Sequence, residues 1–598
     1  MTGAGVCGIR ALGSRLITED TLLQMAAAQD HRAGGGADVW LGPGVGLARS
    51  RRAAGPHAPL AEVRPQPVRS ADGRWVVVLD GAIVNRTSLR AYLDRPLRGD
   101  DAELVAAGLA LQGIGFVERV EGRFALVAHD LRTGTTHLVR DRIGALPLHY
   151  RRVPGGVAFA SEVKALLVLG PPADVDHRSL DAYLAHRTVP APDTLVEGVR
   201  KVRPAHRVAV MPDGHLEETA YWAPPDADPE GTWTADDAVE SVRDGVREAV
   251  RSALEAGAPP GVHLTGGIAG SVVAAQARQL LGDEPVHTFS LALGDDAGEE
   301  LARTRRVSDL LDTRHHDVRL GAGDVAELWG PLTWHRDAPL SGPADLAAHV
   351  LARTAAEHVP VLLCPQGADE LFGGHSRHRL ARVAERSYGL PAPLRSGLER
   401  RVERRLGATF TTSERRRLLG RKAPPERRAS PVAGVRHTLP DDVLERLDRM
   451  ATAADLEVRL PLLESRLVEL AFRLPSPVKV RAGCTTWVLR EAARPLLPDE
   501  VLERRVPEPG TGSWWYAGVR DTVRERLTGP GSWVAQNLDG AMVGDMMLRH
   551  EHGAHEHDRI WTLLSLELWH ESFFATVPAV PRPRGAVHRT ATGAARLS

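Results

Sequence analysis

The chain has 598 residues, with 75 Lys and Arg against 76 Asp and Glu, so its formal net charge is −1. This balance excludes the strong basic field of nucleic-acid or anionic-membrane binders, so we expect neither partner. Three cysteines in so long a chain exclude a disulfide framework and favour a reducing compartment. The N-terminus, MTGAGVCGIRALG, has no signal-peptide pattern, and no stretch approaches about 18 uninterrupted apolar residues. We therefore expect a soluble, cytoplasmic, multidomain protein.

The first part of the chain has the pattern of short strands separated by Gly and Asp turns. Strands are predicted over 74–80, 124–130 and 136–140, and the pair Thr133-Gly134 between the last two is a hairpin signature. With a helix predicted over 101–112, this series is typical of an antiparallel sandwich carrying a few helices.

The rhythm changes in the second part of the chain. A helix is predicted over 235–255, a strand over 261–264, a helix over 271–281 and a strand over 286–293. This order is the βαβ unit of a parallel sheet, and a further strand is predicted over 359–363.

The predicted organisation has four parts. A first domain covers 1–222, a Pro/Asp/Gly-rich linker 223–235, a second domain 236–577, and a disordered tail 578–598. The Arg-rich segment 395–428 has no interleaved aromatic residues, which favours a solvated helical face or loop over a nucleic-acid patch.

A small-residue turn follows the strand predicted over 261–264. The segment 264–271 reads Leu-Thr-Gly-Gly-Ile-Ala-Gly-Ser and opens a helix. Backbone N–H groups at such a turn can approach an anion, and the helix dipole favours phosphate. A tight turn without a ligand fits the same pattern equally well.

A second turn, over 367–374, follows the strand predicted over 359–363. It reads Gly-Ala-Asp-Glu-Leu-Phe-Gly-Gly and carries two carboxylates at the carboxyl end of a strand, where ligands of open α/β sheets bind. Asp369 is therefore a candidate for holding Mg²⁺ against phosphates, or alternatively a cap for the next helix.

These two turns, in this order, resemble the asparagine synthetase B family, which includes β-lactam synthetases and lasso-peptide macrolactam cyclases. Ordered matches run through nearly the whole chain, at 7–9, 31–32, 66–67, 80–85, 101–103, 140–144, 147–150, 159–164, 367–374, 457–464, 489–492 and 567–569. The resemblance implies an α/β two-domain fold. Its first domain is an N-terminal-nucleophile (class II glutaminase-type) αββα sandwich. Its second is an ATP-pyrophosphatase (adenine nucleotide α-hydrolase-like) parallel α/β domain with helical additions.

The resemblance also implies ATP and Mg²⁺ as cofactors and a set of site residues. Catalytic roles fall to Glu457, which would lie beside an acyl-adenylate, and to Arg490 and Arg505. The implied nucleotide site consists of Leu264, Thr265, Gly266, Gly267, Ser271, Ser290, Gly367, Asp369 and Glu370, with Asp369 as the metal ligand. Members of the family adenylate a carboxylate and let an amine attack it to form an amide.

The synthetase motifs depart from the family pattern at four places. Ala269 stands where the family has a Mg²⁺-binding Asp, and Thr486 and Val506 stand where lysines are expected. Lysines there would neutralise developing charge, which valine cannot do, and Arg505 has a different reach and geometry. Cys364-Pro365 replaces small residues before the second turn. The pocket is remodelled, so ATP binding could be weakened or lost.

The glutaminase motif also departs from the family pattern. The family nucleophile is an N-terminal cysteine, whereas Cys7 lies six residues inside the chain unless translation starts at Val6. Asp80 and Ala82 replace an Asn and the Glu that would hold the glutamine α-amine; Arg51 and Asp101 still match. We expect a degenerate glutaminase site with Cys7 as a buried structural residue.

Two further segments have alternative interpretations. The four histidines in 550–557 could bind a transition metal, although exposed histidine-rich turns are commoner. The aromatic run 514–516 follows a Gly-containing segment, and lining an aromatic substrate pocket or packing a hinge are equally consistent with it.

Three functions remain open from the sequence. The first is a glutamine-independent amide-forming enzyme of specialised metabolism, acting on a small-molecule or peptide carboxylate, with an amine from the same substrate or a second molecule. The second is an inactive pseudo-synthetase that serves as partner or scaffold in a biosynthetic complex. The third is an ATP-independent enzyme that uses the remodelled pocket. A homodimer is compatible with all three.

Overall fold

The structure is a computed structural model. It describes residues 4–12, 17–52, 65–94, 99–170, 173–229, 231–254, 259–294, 298–374, 409–420, 438–481, 484–503, 513–516 and 518–575. The chain forms two compact units. The first runs to Asp176 and includes Ala191–Ala223 and the residues from Phe573 onward; the second contains His177–Pro190 and Pro224–Ser572. Residues 177–190 thus belong to the second unit although they precede the predicted boundary at 222.

The first unit contains two six-stranded antiparallel sheets. One has the strand order β10-β8-β9-β1-β3-β2 and the other β12-β11-β7-β6-β5-β4. The strands are β1 (Val6–Ala11), β2 (Gly34–Gly42), β3 (Val45–Arg52), β4 (Val68–Arg69), β5 (Trp75–Ile83), β6 (Gly122–Asp130), β7 (Thr135–Arg140), β8 (His149–Val153), β9 (Gly156–Ala160), β10 (Val199–Lys201), β11 (His206–Val210) and β12 (Leu216–Ala220).

Helices cover the outer faces of these sheets. They are α1 (Glu19–Ala28), α2 (Arg86–Leu93), α3 (Asp101–Gln112) and α4 (Val163–Leu167). Helix α1 packs on β1–β3, and α3 packs on β5. One apolar cluster combines buried residues of both sheets, such as Leu47 and Val127, and a second lies between β5–β6 and α3. The unit is the expected αββα sandwich.

The second unit is built on a five-stranded parallel sheet of order β15-β14-β13-β16-β17. Its strands are β13 (Pro260–His263), β14 (His287–Leu293), β15 (Arg314–Leu320), β16 (Val361–Leu363) and β17 (Glu457–Arg459).

Helices of the second unit flank the sheet and form the additions that follow it. They are α5 (His177–His186), α6 (Ala235–Leu254), α7 (Ile268–Leu281), α8 (Gly298–Leu310), α9 (Ala322–Arg336), α10 (Pro343–Ala356), α11 (Ala368–Phe372), α12 (Thr412–Leu419), α13 (Glu445–Thr452), α14 (Ser465–Arg473), α15 (Ser476–Lys479), α16 (Trp487–Ala493), α17 (Asp499–Leu502), α18 (Arg520–Thr528), α19 (Trp533–Asn537), α20 (Gly540–Glu551) and α21 (His557–His570). A π-helical turn, Leu439–Leu444, precedes α13. Among the residues that the structure describes, no helix has the length and hydropathy needed to cross a bilayer.

Local sequence signals explain several of these bounds. The helix predicted over 101–112 begins after Asp100, whose side chain accepts a hydrogen bond from the Glu103 N–H, and it ends at Gly113 with φ +69°. The predicted hairpin joins β6 to β7, with Gly134 at φ +71° in the turn.

Burial of neutral histidines makes the first unit sensitive to acid. His129 on β6 is 1% exposed, and its Nδ1 lies 2.9 Å from Thr136 Oγ1. Burial, assisted by Arg10, lowers the pKa of His129 from 6.5 to about 4. As pH falls through this window the unfolded state binds a proton that the folded state does not, so stability is lost.

We expect His129→Asn to reduce this acid sensitivity, since an amide can keep the contact to Thr136 without titrating. Between pH 7 and pH 5 the unaltered protein should lose on the order of 2 kcal/mol more unfolding free energy than the variant, measured by urea denaturation. The exposed His552→Asn serves as the control. Equal losses in all three proteins would contradict the expectation.

Candidate active site

Both predicted turns lie on the same edge of the parallel sheet, at neighbouring strands. Strands β13 and β16 pair in parallel, with Val262 opposite Leu363, and each leads directly into its turn. The chain runs from β13 outward through β14 and β15 and then returns to the other side of β13 with β16. The gap between β13 and β16 is therefore the topological switch point, where open α/β sheets bind ligands beyond the carboxyl ends of their strands.

The first turn is shaped by three glycines and anchored to β14. The Leu264 N–H donates to the Phe289 carbonyl at 2.8 Å, and Leu264 is fully buried. Gly266 adopts a left-handed φ of +69°, and Gly267 directly precedes α7. A Cβ at Gly270 would lie 2.9 Å from the Thr265 nitrogen, so the turn folds closely onto the start of the helix. These features place free N–H groups of a 14-residue helix at the strand end.

Ser271 and Ser290, the two serines predicted for the nucleotide site, are both buried and bond to neighbouring protein groups. Ser271 is fully buried, and its hydroxyl donates to the Gly267 carbonyl at 2.8 Å, so its proton is used within the helix. Ser290 on β14 is also buried and accepts a hydrogen bond from Thr304 Oγ1 at 3.0 Å. The methyl group of Thr304 lies 3.2 Å from the Cβ position of Gly266. Ser290 thus acts on the turn through Thr304.

The second turn places its two carboxylates differently. Gly367, at φ +96°, packs against Leu463, where any Cβ would collide. Asp369 is exposed at the start of α11, and a Cβ at Gly374 would lie 1.7 Å from its Oδ1. Glu370 lies close enough to Arg446 to influence its titration.

The predicted catalytic residues have different surroundings. Glu457 begins β17 opposite Val361, and it accepts a hydrogen bond from Arg459 Nε at 2.8 Å. Arg490 lies on α16, which contacts both α7 and α11. Its Nε donates to the Thr485 carbonyl at 3.1 Å, and its Nη1 donates to the Leu502 carbonyl. These two hydrogen bonds tie Arg490 to the chain segments before and after α16. Arg505 and Val506 lie outside the described residues.

These residues fit a phosphate better than a fully liganded metal. The helix N-terminus, the left-handed Gly266 and the close approach at Gly270 form a backbone cradle suited to an anion. For Mg²⁺ this edge offers the exposed carboxylate of Asp369, while Ala269 contributes only a methyl group. Mg²⁺ is commonly held by one or two carboxylates with phosphates and water, so the reduced set still fits. Thr486, at an expected lysine position, is 2% exposed and has φ +53°, a strained conformation for a β-branched residue.

Cys7 is not positioned as an N-terminal nucleophile. It lies within β1, between β3 and β9, and is 1% exposed. Its Sγ is 4.0 Å from the Leu22 carbonyl, and burial raises the pKa of the thiol to about 12. Residues 4–6 precede it in this structure, so here its nitrogen belongs to a peptide bond, whereas a chain that started at Val6 would expose it.

The remaining glutaminase positions are engaged with other protein groups. Asp80 is fully buried and accepts a hydrogen bond from the Ala4 N–H at 2.6 Å. Asp101 accepts from Arg86 Nη2 at 2.7 Å and from the Ile83 N–H at 3.0 Å.

Two glutaminase positions remain. Arg51 Nε lies 3.5 Å from Asp38, and Ala82 is half-buried on β5. The acidic residue that matches the family pattern, Asp101, is thus already paired with the guanidinium of Arg86.

The two ambiguous segments are structural in the described part of the chain. Trp515 is 1% exposed and makes edge contacts with Trp329 and Trp561, with ring centroids 5.5 and 4.9 Å away. Within 550–557, His550 Nδ1 and His552 Nδ1 lie within hydrogen-bond distance of backbone carbonyls. Among the described residues, no group of three or more His, Cys, Asp or Glu is arranged to hold a metal.

Sequence reasoning missed a buried ionic group beside the second turn. Its members are Arg336, Ser341, Asp345, Asp442 and Arg446. In the sequence these residues lie in separate segments, and only tertiary packing reveals that they come together and are buried. The two acidic residues in the DDVLER stretch, at 441 and 442, gave no periodic signal that separates a buried pair from a helix start.

Comparison with known protein families covers nearly the whole described chain. The family model described as asparagine synthase matches residues 241–571, and the model described as glutamine amidotransferase domain matches residues 5–222.

Individual relatives also match this chain over half or more of their own length. A provisionally named glutamine-hydrolysing asparagine synthetase of Mycobacterium tuberculosis is 29% identical over 588 residues, covering 88% of this chain and 89% of that protein. Asparagine synthetase 1 (glutamine-hydrolysing) of Bacillus subtilis is 25% identical over 559 residues, covering 84% and 87%. An amidase of Gibberella zeae is 27% identical over 348 residues, covering 55% and 51%.

We expect Cys7 to resist alkylation in the native protein, because its thiol is buried and protonated at neutral pH. Cys484 is half-buried and should react first, whereas Cys364 is buried and provides a matched internal control. Mass spectrometry of iodoacetamide-treated protein measures the order. Labelling of Cys7 ahead of Cys484 would indicate a reactive nucleophile and contradict the assignment.

We expect Gly270→Ala to destabilise the protein, although Gly→Ala within a helix normally stabilises. The new methyl would meet the Thr265 nitrogen at 2.9 Å and the His263 carbonyl at 3.0 Å, costing about 1–3 kcal/mol. Gly544→Ala, in α20 with open space around its Cβ position, is the control and should gain up to about 1 kcal/mol. Denaturant unfolding compares them; equal effects would show that the close approach is absent.

Proposed function

Because the chain belongs to the asparagine synthase family, we propose that it is an ATP-dependent amide-forming ligase that works without glutamine. Its substrate would be a small-molecule or peptide carboxylate of specialised metabolism. The amine would come from the same substrate, giving a lactam or macrolactam, or from a second molecule.

One observation carries the ATP-dependent part of this proposal. The turns 264–271 and 367–374 lie side by side at the switch point of the parallel sheet. Helix α16, which carries Arg490, contacts the helix that follows each turn. An anion cradle and an exposed carboxylate at one edge are the combination that a nucleotide triphosphate requires.

Glutamine independence is supported by the first unit. A glutaminase of this type needs a basic α-amine on its cysteine and a free carboxylate for the glutamine α-amine. Here Cys7 is internal and buried, and Asp101 is paired with Arg86. Asp80 accepts a hydrogen bond from the Ala4 N–H, so this carboxylate is less available to a small ligand.

Each group would have a defined task in the second unit. This unit would hold ATP so that a carboxylate oxygen can attack the α-phosphorus, which transfers the adenylyl group to the carboxylate and releases pyrophosphate. N–H groups of the turn 265–270 would orient the phosphates, and Asp369 would hold the metal that screens their charge. Thr304, bonded to Ser290, packs beside Gly266 and leaves little room there for a side chain. Glu457, which is held by Arg459 Nε at 2.8 Å, would lie beside the activated carboxyl group.

A second candidate, an inactive pseudo-synthetase serving as a partner protein, is favoured by two specific observations. Ala269 removes one metal ligand, and the Ser271 proton is bound to the Gly267 carbonyl instead of being available to a phosphate. An ATP-independent enzyme in the same pocket would share these features.

Calorimetric titration of ATP with and without Mg²⁺, run beside a pyrophosphate-exchange assay with a panel of carboxylates, separates these functions. Binding with exchange, and formation of AMP instead of ADP, supports the ligase. Glutamine should not replace ammonia or an amine as nitrogen donor. Absence of ATP binding would refute the ligase and leave the other two functions.

We expect Ala269→Asp to strengthen Mg²⁺-dependent ATP binding by about tenfold, since it restores a carboxylate at the N-terminus of α7. Ala269→Asn has the same size without the charge and should show no comparable gain. Calorimetry at fixed ionic strength measures both. Equal ATP affinities for the two variants would contradict the site as described.

A further inference from the structure

The buried ionic group beside the second turn contains an unusual hydroxyl. Ser341 Oγ lies 2.9 Å from Asp345 Oδ2 and 2.7 Å from Asp442 Oδ1. It also accepts a hydrogen bond from Arg446 Nη1 at 3.4 Å. A serine hydroxyl has one proton to donate, so it can satisfy only one of the two carboxylates. The second contact requires a proton on a carboxyl group.

The surroundings identify which carboxyl carries that proton. Asp345 is 0% exposed, and its contacts are Arg336 Nε at 3.3 Å and the Gly342 N–H at 3.1 Å. Asp442 is partly solvated and faces both Arg336 at 3.4 Å and Arg446 at 3.7 Å. Burial raises the pKa of Asp345, whereas at Asp442 the two arginines outweigh burial and lower the pKa. Asp345 is the more buried member and contacts one arginine against two at Asp442, so the geometry points to Asp345 as the member that carries the proton.

Other charged groups face this pair from the neighbouring elements. Glu445 of α13 lies 3.9 Å from Arg336 Nη1. From the segment 177–190, Arg187 stabilises the charge of Asp442, and Tyr183 lies near Asp345. Ionised Asp345 would add a fourth buried or half-buried carboxylate, with Asp442, Glu445 and Glu370, around Arg336 and Arg446, an excess that favours retention of the proton.

The ionic group connects to the candidate active site through Arg446. Burial lowers the pKa of this guanidinium, but the charge of Asp442, with a smaller effect from Glu370, raises it. Glu370 follows Asp369 in the second turn. Arg446 thus contacts Asp442 and Ser341 of the buried group, and it interacts electrostatically with the second turn.

We propose that Asp345 and Asp442 share one proton through Ser341, and that this proton keeps Arg446 beside the second turn, which makes Asp345 a positioning residue for the site. The proton sharing stands independently, whereas the positioning role rests on the proposed function.

Two isosteric substitutions distinguish the members of the pair. Asp345→Asn imitates the protonated carboxyl and should have the same melting temperature as the unaltered protein near pH 4, where the unfolded aspartate also holds its proton. Above that pH it should become the more stable by about 2–4 °C at pH 8, since a group with a raised pKa loses stability as pH rises through it. Asp442→Asn removes a needed anion and should lower the melting temperature at pH 7 by roughly 5 °C or more, with the difference closing near pH 4. Asp545→Asn, at an exposed position of α20, is the control.

Equal losses for both substitutions at pH 7, or a pH-independent difference for Asp345→Asn, would overturn proton sharing. If Asp442→Asn fails to fold, infrared spectroscopy across the pH range decides: the unaltered protein should keep a carboxylic-acid carbonyl band above the usual titration range of aspartic acid, and Asp345→Asn should lack that band. Persistence of that band in the variant would also overturn it.

Calorimetric titration of ATP with Mg²⁺ from pH 6 to pH 9 tests the positioning role. The affinity of the unaltered protein should fall by about tenfold as Asp345 ionises, and that of Asp345→Asn should stay constant. Identical pH profiles would refute positioning while leaving the proton sharing intact. Absence of ATP binding in both proteins would refute the proposed function, and the melting temperatures would still decide the proton sharing.

Discussion

The parallel pairing of β13 with β16 is the constraint on which the candidate site depends. It aligns Val262 with Leu363 and thereby brings together two turns that lie about a hundred residues apart in the chain. Since the order in which strands are added reverses at this pair, the connections from the two strands lead to opposite sides, and ligands of open α/β sheets bind at such a point. The other contacts at the site, such as the Ser290–Thr304 hydrogen bond and the packing of Gly367 on Leu463, shape the two turns that this pairing brings together.

The two units have diverged from the family pattern to different degrees. In the first unit two positions of the expected glutamine site bond to other protein groups, since Asp101 accepts a hydrogen bond from Arg86 and Asp80 accepts one from the Ala4 N–H. In the second unit the changed positions remove side-chain charge at Ala269 and Thr486 but keep the backbone geometry of the turns. Loss of a side chain can be offset by a ligand's own charge or by water, whereas an occupied pocket must first be emptied.

The sequence was sufficient for elements whose signals are local. The bounds of α3 follow from its Asp100 cap and terminal Gly113, and the order β13–α7–β14 follows from the small-residue turn between apolar segments. The strand order could not be derived, because it depends on which non-local strands pair. Nor could the engagement of Asp101 or the burial of Asp345 be foreseen. An aspartate has the same sequence signature whether it faces solvent, a substrate amine or an arginine from another helix.

The assignment of His177–Pro190 to the second unit gives the chain an interlaced connectivity. After leaving the first unit at Asp176, the polypeptide contributes α5 to the second, where the Tyr183 hydroxyl donates to the Thr562 carbonyl at 2.9 Å, and then returns to the first unit at Ala191. No single cut separates the two units into intact pieces. Deletion of the first unit as one continuous segment would also remove helix α5 from the second unit. Truncation of the gene would therefore damage the second unit, which gives a structural reason for the persistence of the amidotransferase-type unit.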